Sequence, residues 1–577
     1  MQKSLAGITA VLVVALGACT AGPGSPRPER AGATGATAAA GAARCDHGLD
    51  EAFGAWARAG FSGSIAISKG GRFECLAAYG VADDVTGAPN TADTVFSIGS
   101  VTKAFTAAAV FRLVDDGRLS LDDRAGKLLT ELRGPVAKAT IRQLLLHTSG
   151  LNGSHGGDYE PLGRDAALAA IGRLKPAFKP GTGYVYSNAG YTLLALIVEK
   201  VSGESYRDYT ASKILWLPGG HVAGGFWSGE PAAAGPRAVG YLDDGRAGRS
   251  GDFRGPYWAL DGNGGLAMTA RDLAAWTHAL FTGQLVSRKS AEVIGSPGHD
   301  LGGGRSETPG WVAFGGSVYG TPFLSTAGGG GDVGHNAVVA WIPEQERAVA
   351  IMSNRARVTA EELLGAVGPS LLAGDPLPGP DASAVPDASA GGDDPAAIVG
   401  SYKLDTGGSF DVATADGKPV ISARGADAVA ALFPPRDDVT DDDLRRHEKR
   451  VLALLAGQTQ EGRKERGSLE AAFGPFSGVA LAGTVVSDGE LRTYVTITAG
   501  RRSIVGWYAV NEQGGIKAAE TPTKPPNLVF VSFGDGRYRP DDPARTGPEV
   551  TVAFEDGRMV ISRAAGAGET SVARSAG

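Results

Sequence analysis

Cysteine is scarce in this 577-residue chain, which has only Cys19, Cys45 and Cys75. No histidine follows any of them at a zinc-finger spacing and the eight histidines are scattered, so the sequence supports no metal site and implies no cofactor. Strong charge of either sign is also missing. The formal net charge is -7, and no block of Lys and Arg is available to run along phosphates, which argues against a nucleic-acid partner. The apolar run at residues 5–16, behind Lys3, is too short to span a bilayer as a helix and has the length of a signal-peptide core.

What is present reads as globular. Hydrophobic residues make up 43% of the chain and charged residues 20%, enough to bury a sizeable core, and the length predicts two or three folded units. Leu16-Gly17-Ala18-Cys19 resembles the lipobox of bacterial lipoproteins, which would leave Cys19 as the lipid attachment site and hold an exported chain on a membrane of the cell envelope. The alternative is an ordinary cleaved signal peptide. In the oxidising compartment that export implies, Cys45 and Cys75 can close a disulfide or remain separate thiols.

Composition divides the chain. Residues 1–19 read as the signal segment, and residues 20–44, almost wholly Ala, Gly, Pro, Thr, Ser and Arg, as a disordered tether. A first folded unit is expected over 45–373, a Pro/Asp/Ala-rich linker over 374–395, and a second unit over 396–577. In the first unit, strand patterns at 63–68 and 73–79 flank the turn Gly70-Gly71. Helical patterns follow at 101–116, 141–146, 166–174, 191–201, 206–214 and 270–281, then strands at 337–342 and 348–353. Strands at both ends with helices between predict an α+β fold, in which an antiparallel sheet closed by both ends is flanked by helices. The second unit reads as small and β-rich, in the manner of an open barrel, with strands at 401–404, 410–414, 494–498, 504–510, 528–532 and 550–554 and one charged helix near 440–455.

Two segments carry chemistry. Ser100-Val101-Thr102-Lys103 sets a hydroxyl and an amine three residues apart at a helix start, on one face. A serine needs a base to become a nucleophile, and a lysine desolvated in a cleft can serve as one. Unpaired N–H groups at the helix start favour the negative charge that attack creates. Tyr186-Ser187-Asn188 precedes an apolar helix, where a phenol can relay a proton and an amide can bind a substrate amide or hold the lysine. Helix capping by Ser100 and by Asn188, with solvated Lys103 and Tyr186, is the structural alternative.

These segments, with Leu144-Leu145-Leu146-His147-Thr148-Ser149-Gly150 and the stretch from Gly264 to Leu273, resemble the serine β-lactamase-related proteins. That family includes class C β-lactamases, D-alanyl-D-alanine carboxypeptidases, esterases and penicillin-binding proteins, and the likeness runs from Phe61 to Asn354. It implies acyl transfer to Ser100 with Lys103 and Tyr186 moving the proton, a structural role for His147, and a small-molecule or peptide substrate. It also implies substrate contacts at Asn188, Thr326, Gly328 and Gly329, with an oxyanion held by the N–H groups of Ser100 and a residue near Gly329. Where the family usually carries Lys or His, a small residue and Gly, this chain reads Thr326-Ala327-Gly328-Gly329. The missing cation weakens the case for a carboxylate-bearing substrate, favours a neutral ester, and leaves a non-catalytic penicillin-binding or sensing protein as the alternative. Arg355 could replace that charge, although a surface role fits it better. The oligomeric state is not legible.

Overall fold

The computed structural model describes residues 45–575, apart from 243–244, 246, 249–253, 331–333, 381–393, 416, 436–438, 488–489, 512–513, 535 and 564–570. The expected signal segment, lipobox and tether, and most of the expected linker, lie outside the described residues.

An eight-stranded antiparallel sheet organises the first part. It is built from β1 (Gly63–Lys69), β2 (Arg72–Tyr79), β3 (His299–Gly302), β4 (Arg305–Thr308), β5 (Trp311–Phe314), β6 (Phe323–Gly330), β7 (His335–Ile342) and β8 (Arg347–Ser353), in the spatial order β3-β4-β5-β6-β7-β8-β1-β2. Pairing of β8 with β1 joins the two ends of this region, as the sequence pattern predicts. Alternation along the strands sorts side chains to two cores. On β7, Val338, Ala340 and Ile342 pack with Phe53 and Trp56 of α1 (His47–Arg58) on one face, while Ala337, Val339 and Trp341 join the larger core on the other. That larger core holds α2 (Thr102–Asp115), α3 (Asn188–Ser202) and α4 (Ala270–Phe281), with Phe105 of α2 stacked on Trp276 of α4 at 3.6 Å. A further helix, α5 (Ala360–Ala373), covers the first face with Leu363, Leu364 and Val367.

A disulfide joins Cys45 to the fully buried Cys75 on β2 and closes a loop of 30 residues. Within 206–214 the expected single helix is a four-residue α-turn followed by a wider π-turn at Thr210–Ile214. Strands β3 to β6 and helix α5 have no counterpart in the sequence reading. Glycine and polar residues break their alternation.

Past the linker, eight strands between Gly400 and Ser575 form a barrel around Phe410, Phe530, Tyr538 and Met559. Pairing of Gly400–Leu404 with Ser571–Ser575 closes it, where the sequence suggested an open one. The strands expected at 494–498 and 504–510 are not barrel members. They belong to a separate four-stranded sheet, Gly478–Glu520, packed on two helices, Asp441–Leu455 and Gln460–Phe473, where one was expected. At the junction of the two parts, the little-exposed carboxylate of Asp541 accepts from Arg357 at 2.6 Å and Lys418 at 2.7 Å.

Candidate active site

The start of α2 sets the geometry. A 3-10 turn at Gly99–Val101 runs into the helix, so Ser100 and Lys103 lie one turn apart beneath the sheet edge, and both are buried. Lys103 Nζ donates to Ser100 Oγ at 3.0 Å and to the Asn263 carbonyl at 2.9 Å. Burial brings its amine down to about 7, against a smaller upward pull from the carboxylates of Asp158 and Glu307. Burial outweighs that pull, so the free amine is accessible near neutral pH.

Tyr186 completes the contact. Its Oη donates to Ser100 Oγ at 2.9 Å, and Lys103 Nζ lies 4.8 Å from its ring centroid. Burial pushes the phenol far above its ordinary value, so Tyr186 stays protonated as a donor while Lys103 can be a free base. The structural alternative of solvated Lys103 and Tyr186 therefore fails. His147 holds the loop in place: its Nδ1 accepts the Ser187 N–H at 3.0 Å and its ring lies 4.4 Å from that of Tyr186. Burial lowers His147 to about 3, which keeps it neutral and fits a structural role.

Asn188 does not cap α3. Ser187 does, accepting the Gly190 N–H at 3.1 Å, and Asn188 takes the first helical position. Its Oδ1 is buried without a hydrogen-bond partner, and the residue lines the cleft at Ser100.

Strand β6 forms the opposite wall. A Cβ added to Gly328 would lie 2.4 Å from both Ser100 N and Ile98 O, so only glycine lets the strand approach this closely. Gly329 lines the cleft beside Ser100 and Gly99. Thr326, two residues before Gly328 on β6, is buried and, like Gly328, is not among the described cleft-lining residues. Arg355 does not replace the missing charge, because it pairs with Asp84 and stacks over Tyr241 at 4.6 Å.

Much of the cleft's wall escaped the sequence reading: Asp158, Tyr159, Arg207, Trp227, Tyr257 and Asn263. Arg207 is the only Lys or Arg among the described lining residues. Its guanidinium is held by Asp261 at 2.8 Å and the Ser228 carbonyl at 2.7 Å, and sits 4.1 and 4.4 Å from the rings of Phe226 and Tyr257. Asn263 precedes the Gly264–Leu273 stretch that the sequence had marked, but its part is played by a backbone carbonyl, which no side-chain pattern announces.

Comparison with known proteins agrees with this geometry. A sequence model of the Beta-lactamase family matches residues 51–367. The chain is 32% identical over 247 residues to "Putative penicillin-binding protein PbpX" of Bacillus subtilis (strain 168), covering 41% of this chain and 60% of that protein. It is 32% identical over 167 residues to protein flp of Staphylococcus aureus (strain COL), covering 28% of this chain and 33% of that protein. The chain thus spans less than two thirds of the length of each of these relatives. Among solved structures, the octameric penicillin-binding protein homologue from Pyrococcus abyssi superposes with a TM-score of 0.52 at 20% identity, over 92% of this chain and all of that one, a likeness of fold that extends into the C-terminal part. With more than half its length matched by the family and a serine, lysine and tyrosine in mutual contact under the sheet edge, the chain belongs to the Beta-lactamase family.

Proposed function

We propose that this protein is a serine hydrolase that forms an acyl-enzyme on Ser100 from an ester or amide. The observation that carries the reading is that Lys103 Nζ and Tyr186 Oη both reach Ser100 Oγ, at 3.0 and 2.9 Å, in a cleft that excludes much of the solvent. Lys103, as the free amine, takes the Ser100 proton while Oγ bonds to the substrate carbonyl carbon. The N–H groups of Ser100 and Gly329 receive the oxyanion. Tyr186 gives a proton to the leaving alcohol or amine and is reprotonated from Lys103. Water then adds to the acyl group, releasing the acid and restoring the serine hydroxyl.

Neutral acyl substrates fit the cleft better than carboxylates. Arg207 is already neutralised by Asp261, and Thr326 stands where the family usually has a cation. The Cys45–Cys75 bridge supports an extracytoplasmic location, in keeping with the expected lipid anchor at Cys19. Hydrolysis of p-nitrophenyl acetate and butyrate, nitrocefin and a D-alanyl-D-alanine peptide tests this reading; turnover of the neutral esters above the others is expected, and turnover of none contradicts it. Thr326 favours one second reading, a penicillin-binding protein without turnover. A benzylpenicillin adduct that persists on the protein, with no ester turnover, would support that instead.

A further inference from the structure

We propose that Glu307 is a positioning residue of this site, a buried carboxyl held by Tyr184 and facing His147, whose charge, together with that of Asp158, tunes how readily Lys103 gives up its proton. The inference rests on the hydrolase reading, in which Lys103 is the base.

The hairpin of β4 and β5 delivers the carboxyl. Its turn presses on the first turn of α2 so closely that a Cβ on Gly310 would lie 2.8 Å from Ala104 Cα and 2.9 Å from the Lys103 carbonyl. On β4, Glu307 is 5% exposed. Tyr184 Oη donates to its Oε2 at 2.9 Å, and His147 Nε2 lies 3.8 Å from Oε1. Because His147 Nδ1 accepts the Ser187 N–H, the imidazole proton sits on Nε2, toward Glu307.

Among the described residues no lysine or arginine touches this carboxyl. The groups that face it are His147 from the loop after residue 146, Tyr184 and Tyr186 from the segment before α3, Tyr191 from α3, and His299 of the paired strand β3, stacked on Tyr184 at 5.3 Å. The cation that acts on it is Lys103, through space. Burial pushes Glu307 up to about 8, while Tyr184 and Lys103 pull it down. In return its charge favours the ammonium form of Lys103.

An uncompensated buried carboxyl costs stability, and an amide of the same shape would accept the Tyr184 bond equally well. What the amide lacks is charge. A buried amine and a buried carboxyl that act on one another titrate as a coupled pair, so ionised Glu307 favours the ammonium form of Lys103 and neutral Glu307 favours the free amine.

The rate at which a fluorophosphonate labels Ser100 in the full chain, followed between about pH 5 and 9, reads this coupling without a known substrate. For Glu307→Gln the pH of half-maximal rate is expected to move below that of wild type, because one of the two carboxylates that favour the ammonium is gone while Asp158 stays in both proteins. Tyr184→Phe removes the donor that stabilises ionised Glu307 and is expected to shift the limb in the same direction, by less. Limbs that superimpose on wild type, in variants that melt at the wild-type temperature, would overturn the proposal; if Glu307→Gln does not fold, the Tyr184→Phe comparison decides alone. Wild type that takes no label at all would sink the hydrolase reading itself.

Discussion

Gly328 gives the sharpest test of how the cleft is built. A methyl group there meets Ser100 N and Ile98 O at 2.4 Å and Gly99 C at 2.9 Å, all backbone atoms that cannot rotate away. The strand or the 3-10 turn must yield by the better part of an ångström. That separation costs on the order of 1–3 kcal/mol of stability through overpacking. It also withdraws one donor from the oxyanion position, worth roughly 10²–10³-fold in rate. The neighbouring glycine supplies the control, since a Cβ on Gly329 comes no nearer than 3.5 Å, to the Asn336 amide. Gly328→Ala is therefore expected to lose p-nitrophenyl acetate turnover by about two orders of magnitude with a lower urea midpoint, while Gly329→Ala keeps its stability and most of its rate. The reasoning is refuted if Gly328→Ala turns over at the wild-type rate, or if the two variants lose rate equally.

The other expectations concern single groups. Lys103 acts as a base only when neutral, and burial has lowered it to about 7, so kcat/KM is expected to rise as pH increases through about 7 and to fall below it. Lys103→Arg, which cannot release its proton, is expected to lose roughly 10²–10⁴-fold in rate, and a variant with an unchanged profile would contradict the assignment. Replacing Cys45 and Cys75 together with Ala opens a loop of 30 residues and is expected to cost about 3–4 kcal/mol in urea unfolding under oxidising conditions; no change in midpoint would show that the bridge does not restrain the unfolded chain. Arg207→Ala leaves the Asp261 carboxylate buried without its guanidinium, and calorimetry is expected to register a loss of about 3–5 kcal/mol, against which an unchanged melting temperature would count.

The sequence carried the candidate Ser100, Lys103 and Tyr186 cluster because its parts are local. Ser100 and Lys103 are one turn apart, and Tyr186 and Asn188 sit in a three-residue window at the start of a strongly apolar helix. The central strands were legible for a related reason: runs such as Ala337–Ile342, buried on both faces, are unmistakably hydrophobic. Strands β3 to β6 were not, since Gly302–Gly304 and Gly328–Gly331 interrupt any period-two pattern and β4 carries Arg305, Ser306 and Glu307. Glu307 carries no local signature for that reason; the hairpin's docking on α2 is what buries it. The cleft wall is assembled from segments tens of residues apart, and Arg207, whose partner Asp261 is 54 positions away, has no local signature. Thr326 shows the converse. Its departure from the family pattern was visible in the sequence, yet its burial on β6, away from the lining, depends on strand register.

Intact-mass spectrometry after exposure to a fluorophosphonate, on the wild-type chain and on Ser100→Ala side by side, addresses the acyl-transfer claim most directly. The account predicts one phosphonyl group on wild type, mapped to Ser100, and none on the variant. Equal labelling of both proteins, or a label mapped to another residue, would contradict it.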